Sequence, residues 1–288
     1  MGTPVTVLGQ VACDGPIGVF DSGVGGLSVL RAIRNELPNE RVVYVADSGF
    51  APYGERDADF IEERSGAIVR FLITQGAKAI VGACNTATGV AVERLRATHR
   101  LPIVAIEPAI KPAAAMTISG VIGVLATSAT LASPRFATLA RRVSESARVL
   151  VQPCPGLVPQ VESGALSGPA TRALVEQYVV PLIAQGADTL VLGCTHYAFL
   201  TPVIREVVGD GVAILDPAPA VARELRRRLD EAGLLTDAEA VADRDAVAFW
   251  SSGDLDAATR VIGQLWAPDT AVQPLPAEFT AGAAVTGS

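Results

Sequence analysis

Four cysteines stand at positions 13, 84, 154 and 194, none in a CxxC pair, and only His99 and His196 accompany them. Structural zinc calls for clustered Cys and His ligands, so that reading has little support. Cys84 and Cys194 differ from the other two in their surroundings. The segments QGAKAIVGACNT (Gln75 to Thr86) and QGADTLVLGCTH (Gln185 to His196) repeat Gln, Gly, Ala, Val and Cys in register, their cysteines 110 positions apart (194 − 84). Each thiol ends a glycine-bounded apolar run. Polar groups follow it, Asn85 and Thr86 in one copy and Thr195 and His196 in the other. A thiol with a pKa near ~8.5 acts as a base when ionised and as an acid when protonated. Two of them on opposite sides of one carbon can remove a proton from one face and deliver one to the other, which is the chemistry of stereoinversion. A lone cysteine is by default a small buried hydrophobe. Cys13, in an unpatterned N-terminus, and Cys154, between prolines, are expected to be that.

The elements that position such thiols are strands feeding helices. Apolar runs of strand length occur at 17–22, 41–47, 102–107, 121–127, 147–153 and 212–217 as well as before the two cysteines, with helical stretches between them. This alternation predicts an α/β class with mostly parallel sheets. A second repetition supports it: IGVFDSG begins at Ile17 and IGVLATS at Ile122, an offset of 105 (122 − 17). Two similar, doubly wound domains related by pseudo-two-fold symmetry are expected, with the site in the cleft between them, at the strand ends where open α/β sheets take ligands. The first domain would comprise 17–111 with 221–266 and carry Cys84. The second would comprise 112–220 and carry Cys194. AVARELRRRLDEAGL would cross back onto the first domain, residues 1–16 form an extension, and 267–288, poor in large apolar residues, read as a disordered tail.

Other polar residues sit at apparent strand ends. Asp21 and Ser22 precede a glycine-rich turn whose DSGVGG lacks the spacing of a phosphate loop, so a tight turn and helix cap is an equal reading. Tyr53 and Gly54 lie in a loop after the next strand. His196, two residues from a candidate thiol, is a better functional candidate than a lone histidine, and Glu162 is either a solvated carboxylate or its partner. With 23 basic and 30 acidic residues the net charge is −7, which leaves no basic footprint for nucleic acid. No apolar stretch is long enough for a membrane span, and the N-terminus does not read as a secretory signal. A cytoplasmic protein acting on a small molecule is expected.

The stretches FDSGVGGLSVLRAI, PYGER, ACNTAT, AIEPA, ATSATLAS and LGCTHY, in this order, resemble glutamate racemases, and the likeness runs from about Ile17 to Trp266. The resemblance implies cofactor-independent interconversion of L- and D-glutamate, supplying D-glutamate for peptidoglycan, in a homodimer. Carried over by motif, Cys84 and Cys194 are the acid/base pair, with Cys194 deprotonating the L-isomer and Cys84 the D-isomer. Asp21 assists the Cys84 side, and Glu162 and His196 the Cys194 side. Asp21, Ser22, Tyr53, Gly54, Asn85, Thr86, Thr195 and His196 match substrate-binding positions. The chain departs from the family pattern at Ser48 to Ala51, at Ala198 and Phe199, and at Phe136, where relatives carry a tyrosine.

Three other readings compete. A pyridoxal phosphate racemase needs a Schiff-base lysine, and Lys78 and Lys111 are the only lysines. Lys78 starts a strand at the end opposite its cysteine, and Lys111 has no supporting motif. An aspartate or other amino-acid racemase would use the same two thiols. A non-catalytic amino-acid-binding protein would use the same cleft but has no reason for paired thiols.

Overall fold

Strands of a doubly wound sheet are covered on both faces, so they are apolar along their whole length. The computed structural model describes residues 13–237, 239 and 246–280. Its strands are Ile17–Asp21 (β1), Val42–Ala46 (β2), Ala79–Gly82 (β3), Ile103–Ala105 (β4), Val121–Ala126 (β5), Arg148–Pro153 (β6), Thr189–Gly193 (β7), Ala213–Leu215 (β8), Val247–Ser251 (β9) and Val272–Pro274 (β10). Every residue of β1, β2, β3 and β7 is buried. The strands form two all-parallel sheets, one in the order β10-β9-β2-β1-β3-β4 and one in the order β6-β5-β7-β8. The protein is α/β, with one lobe built on each sheet.

The internal repetition is visible in the topology. Strands β2-β1-β3-β4 and β6-β5-β7-β8 have the same spatial order. Register is preserved too: Phe20 pairs with Gly82, and their counterparts Leu125 (20 + 105) and Leu192 (82 + 110) pair with each other. Gly18 and Gly123 are equivalent in the same way. A Cβ on Gly18 would lie 2.9 Å from Ile80 and 3.0 Å from Leu72, and one on Gly123 2.8 Å from Leu190 and 2.9 Å from Leu182. Each glycine lets a covering helix close on its sheet.

The helix Ala218–Glu231 does pack along Leu27–Glu36 of the first lobe, burying Val221, Ala222, Leu225 and Leu229. One apolar cluster runs through both lobes, from Leu27 and Leu30 to Leu157, Leu200 and Leu225.

Two expectations need correction. The segment from 267 is not a disordered tail as far as 280: β10 adds to β9, Leu275 is buried, and the Phe279 ring meets Phe71 at 5.3 Å in an edge-on contact. A few well-placed apolar groups suffice there because the open edge of β9 supplies hydrogen bonds to almost any sequence. Residues 281–288 lie outside the described residues. Cys13 is exposed, not buried; its carbonyl accepts from Lys78 Nζ at 2.6 Å. Most of the 1–16 extension lies outside the described residues. Lys78 itself is buried against Glu40 at 2.6 Å, which gives it a structural partner.

Candidate active site

Parallel strands bring their C-terminal ends to one edge, and the residues just past those ends face a common space. β1 delivers Asp21 and Ser22, β3 delivers Cys84, Asn85 and Thr86, and β7 delivers Cys194, Thr195 and His196. All eight are buried. Glu162, at the end of the helix Leu157–Glu162, closes the group from the second lobe.

Cys84 caps the helix Asn85–Thr98, its sulfur accepting from the Ala87 N–H at 3.5 Å and lying 3.7 Å from Ser22 Oγ. Burial, reinforced by the Asp21 carboxylate, holds the Cys84 thiol well above its ordinary value, although the Ala87 N–H and the Ser22 contact oppose this. These surroundings favour the protonated form of the Cys84 thiol. Asp21 is also raised, by burial, although His196 and the Gly26 N–H at 2.7 Å oppose this.

On the other side a chain of contacts backs the second thiol. Cys194 Sγ lies 3.7 Å from His196 Nδ1, and His196 Nε2 lies 2.6 Å from Glu162 Oε1. Burial by itself would lower the imidazole, but the Cys194 sulfur and the Glu162 carboxylate outweigh it and raise His196 well above its ordinary value. When protonated, the ring would donate to Glu162 through Nε2 and present its Nδ1–H to the sulfur.

The glycine-rich turn after β1 is the seam between the lobes. The Val24 N–H donates to Glu162 Oε1 at 2.8 Å, Ser28 Oγ to the Thr195 carbonyl at 3.3 Å, and Thr195 Oγ1 to Asp21 Oδ2 at 3.4 Å. A Cβ on Gly23 would sit 1.9 Å from Glu162 Oε1, and one on Gly25 2.3 Å from His196 Nδ1. Neither glycine has a left-handed backbone. Their purpose is close approach to the other lobe, so the turn is neither a phosphate loop nor only a helix cap.

Tyr53 and Gly54 reach the site differently from each other. The Tyr53 hydroxyl donates to Asp47 Oδ2 at 2.5 Å, and Arg64 grips the same carboxylate with Nε at 3.0 Å and a second nitrogen at 2.8 Å. That phenol is committed to the interior of the first lobe, whereas Gly54 meets the second lobe, 3.1 Å separating a Cβ placed there from Thr127. Thr127 and Thr130 are site neighbours that sequence reasoning missed. Their hydroxyls lie 3.0 and 3.3 Å from Thr86 Oγ1, across the seam. A signal was present: at the offset of 105, Thr127 is the counterpart of Ser22. Phe136 is buried with Ile110, Val124 and Val143, where no hydroxyl is required.

Three buried polar atoms at these strand ends have no protein partner: Asp21 Oδ1 and both amide atoms of Asn85. Buried groups are ordinarily satisfied, so an acceptor and a donor left free beside two thiols describe a place for a small zwitterion. Among the described residues, no group of three or more His, Cys, Asp and Glu is arranged to hold a metal ion, and no helix is long and apolar enough to cross a membrane.

The model of the Asp/Glu/Hydantoin racemase family matches residues 17–225. The chain belongs to that family. Among curated proteins it is 54% identical to the glutamate racemase of Methylococcus capsulatus, over 93% of this chain and 97% of that one, and 57% identical to that of Ectopseudomonas mendocina, over 83% and 90%. Among solved structures, a glutamate racemase of Bacillus anthracis superposes with a TM-score of 0.82 at 30% identity, covering 91% of this chain and 97% of that one. The Escherichia coli glutamate racemase, crystallised with L-glutamate and the activator UDP-MurNAc-Ala, gives 0.79 at 30% identity, covering 91% and 98%. These neighbours share the two-lobed, parallel-sheet racemase architecture.

Proposed function

We propose that the protein interconverts L- and D-glutamate without a cofactor, Cys84 and Cys194 acting as the two acid/base groups. The observation that carries this is the pair of buried thiols at equivalent strand ends of a duplicated fold, each backed by a carboxylate. A planar carbanion at Cα must gain its proton on the face opposite the one that lost it, and one group cannot serve both faces. Cys84, held as a thiol, is the donor in the resting protein. Cys194, with the His196 ring 3.7 Å from its sulfur, is the acceptor. This arrangement is set for the L-isomer: Cys194 takes the Cα proton and Cys84 returns one. The roles exchange for the D-isomer.

The partnerless atoms then have occupants. Asp21 Oδ1 accepts from the substrate ammonium, and Asn85, Thr86 and Thr195 donate to carboxylate oxygens on which the carbanion's charge develops. The hydroxyls of Thr86, Thr127 and Thr130 and the backbone at Gly54 lie beside these groups at the contact between the lobes. Identity to several glutamate racemases over most of both chains favours glutamate over aspartate. We further propose that the product feeds peptidoglycan synthesis, in a cytoplasmic homodimer.

Incubation with L-glutamate in D2O without added cofactor tests the reading. Loss of optical rotation together with deuterium at Cα is expected. If no D-glutamate forms and no exchange occurs, the racemase reading fails in favour of a binding protein; turnover of L-aspartate with L-glutamate inert would change the substrate.

A further inference from the structure

Beneath the glycine turn lies Tyr44, in the middle of β2, fully buried and outside every motif that forms the site. Its ring is tilted against Phe249 at 5.9 Å, which is ordinary core packing. Its hydroxyl is not ordinary packing: it donates to the Gly23 carbonyl at 2.8 Å, and a Cβ on Gly26 would come within 2.8 Å of it. The phenol therefore sits under both ends of the turn Gly23 to Gly26. That turn supplies one N–H to each carboxylate of the site, Val24 to Glu162 and Gly26 to Asp21, at 2.8 and 2.7 Å. The peptide between Gly23 and Val24 carries both the carbonyl that Tyr44 holds and the N–H that Glu162 accepts. Because a peptide unit is planar, fixing the oxygen fixes the direction of the N–H.

We propose that Tyr44 is a positioning residue for proton transfer at Cys194: its hydroxyl orients the Gly23–Val24 peptide, which crosses the seam to hold Glu162 on His196. The proposal rests on the racemase reading only in naming the reaction; the geometric link from Tyr44 to His196 is independent of it. Glu162 is the part of the chain that needs holding. It is the most solvent-accessible member, its side chain 21% exposed against 3% for His196, so without the Val24 N–H its carboxylate is free to turn toward water. His196 would then keep Cys194 and Asp21 as charged or titratable neighbours and lose its closest carboxylate contact. Removing that contact must lower the imidazole's affinity for its proton.

The test is Tyr44→Phe in the full-length protein, with His196 followed by the NMR titration of its ring protons, assigned against His99→Gln. Circular dichroism and thermal melting verify folding. The midpoint of His196 should fall by at least one pH unit, and kcat for racemisation by about tenfold with KM changed less than threefold. Incorporating 4-aminophenylalanine at 44, which restores a donor, should recover most of both. If the phenylalanine variant folds poorly, 4-methylphenylalanine keeps the tyrosine's volume and removes only the donor. A His196 midpoint unchanged or raised in a folded donor-less variant overturns the proposal, as does a midpoint that falls but is not recovered by 4-aminophenylalanine. Absence of racemase activity in the wild type would instead defeat the functional reading, and the titration would still decide the role of Tyr44.

Discussion

Replacing Gly23 by alanine should cut racemisation sharply while leaving the protein folded. The Cβ would lie 1.9 Å from Glu162 Oε1, whereas real Cβ contacts essentially never fall below 3.0 Å, so the carboxylate must retreat by about 1.1 Å (3.0 − 1.9). A retreat of that size along the line away from His196 would stretch the 2.6 Å bond to at most about 3.7 Å, past hydrogen-bond range. A hydrogen bond involving a charged group contributes ~1.5–3 kcal/mol, which at about 1.4 kcal/mol per decade corresponds to a loss of roughly 10- to 150-fold in rate. Backbone strain adds nothing, because Gly23 is not left-handed. The assay is polarimetric, from both enantiomers. L- and D-glutamate have equal free energies, so kcat/KM must fall by the same factor in both directions whichever thiol is impaired. The affected half is identified by the primary isotope effect on Cα–H, which should rise for the isomer that Cys194 deprotonates. A folded variant with kcat/KM within threefold of wild type would refute the view that the turn's glycines exist to let Glu162 approach.

Cys84→Ala and Cys194→Ala should each abolish racemisation while keeping the fold; near-normal turnover by either would eliminate the two-base mechanism. Truncation after Trp266 removes buried Leu275 and the Phe279 contact with Phe71; at ~1.5–3 kcal/mol for each of these two apolar side chains and ~2–4 °C per kcal/mol, Tm should drop by roughly 6–24 °C, and an unchanged melt would return this segment to the status of a tail. Burial would raise Asp188, but donors from Thr117, Ser119, Ile118 and Thr189 outweigh it and hold the carboxylate below its ordinary value. Its stabilisation is present above the unfolded value of 3.8 and disappears as pH falls, so the deficit in urea midpoint of Asp188→Ala should shrink between pH 5 and 3. His196 and Cys84 are both raised, so each stabilises the fold below its unfolded value and less as pH climbs above it. The urea midpoint should decline from pH 7 toward 10, and His196→Gln should remove the earlier part of that decline.

Much of the fold and the site was legible because the chemistry and the repetition coincide. The parallel strands announce themselves as continuous apolar runs, and two offsets of nearly equal length already imply that the halves share one strand order. The thiols were found by the same repetition. What escaped had a physical reason to escape. β10 is three residues long and ends in Pro274; its stability comes from the edge it joins rather than from its own composition. Tyr44 looks like any aromatic residue in a β-strand, since its function lies in one hydroxyl aimed at a loop 21 positions earlier. The glycines of DSGVGG were visible as a turn, but what they approach belongs to the other half of the chain, and nothing local encodes it. Tyr53 matched a motif, yet its phenol is taken by Asp47, a contact requiring the long-range placement of Arg64.

Duplication explains why there are two thiols but not why the two halves behave differently. At the offset of 110, Thr195 and His196 are the counterparts of Asn85 and Thr86, so the residue that backs Cys194 has no imidazole equivalent beside Cys84. At the offset of 105 the counterpart of Asp21 is Ala126, so no carboxylate can come to Cys194 from its own central strand. It comes instead from Glu162, on a helix, and is held there by an N–H of the opposite lobe. The two carboxylates are thus not symmetry mates. Asp21 is rooted within the same lobe as the thiol it faces, whereas Glu162 depends on the seam being closed. Every strand-end residue of the site is buried with the lobes in contact. The hydrogen bond that holds Glu162 crosses between the lobes, whereas the Gly26 N–H that holds Asp21 comes from the same lobe, so the carboxylate on the Cys194 side depends on the contact between lobes in a way that Asp21 does not.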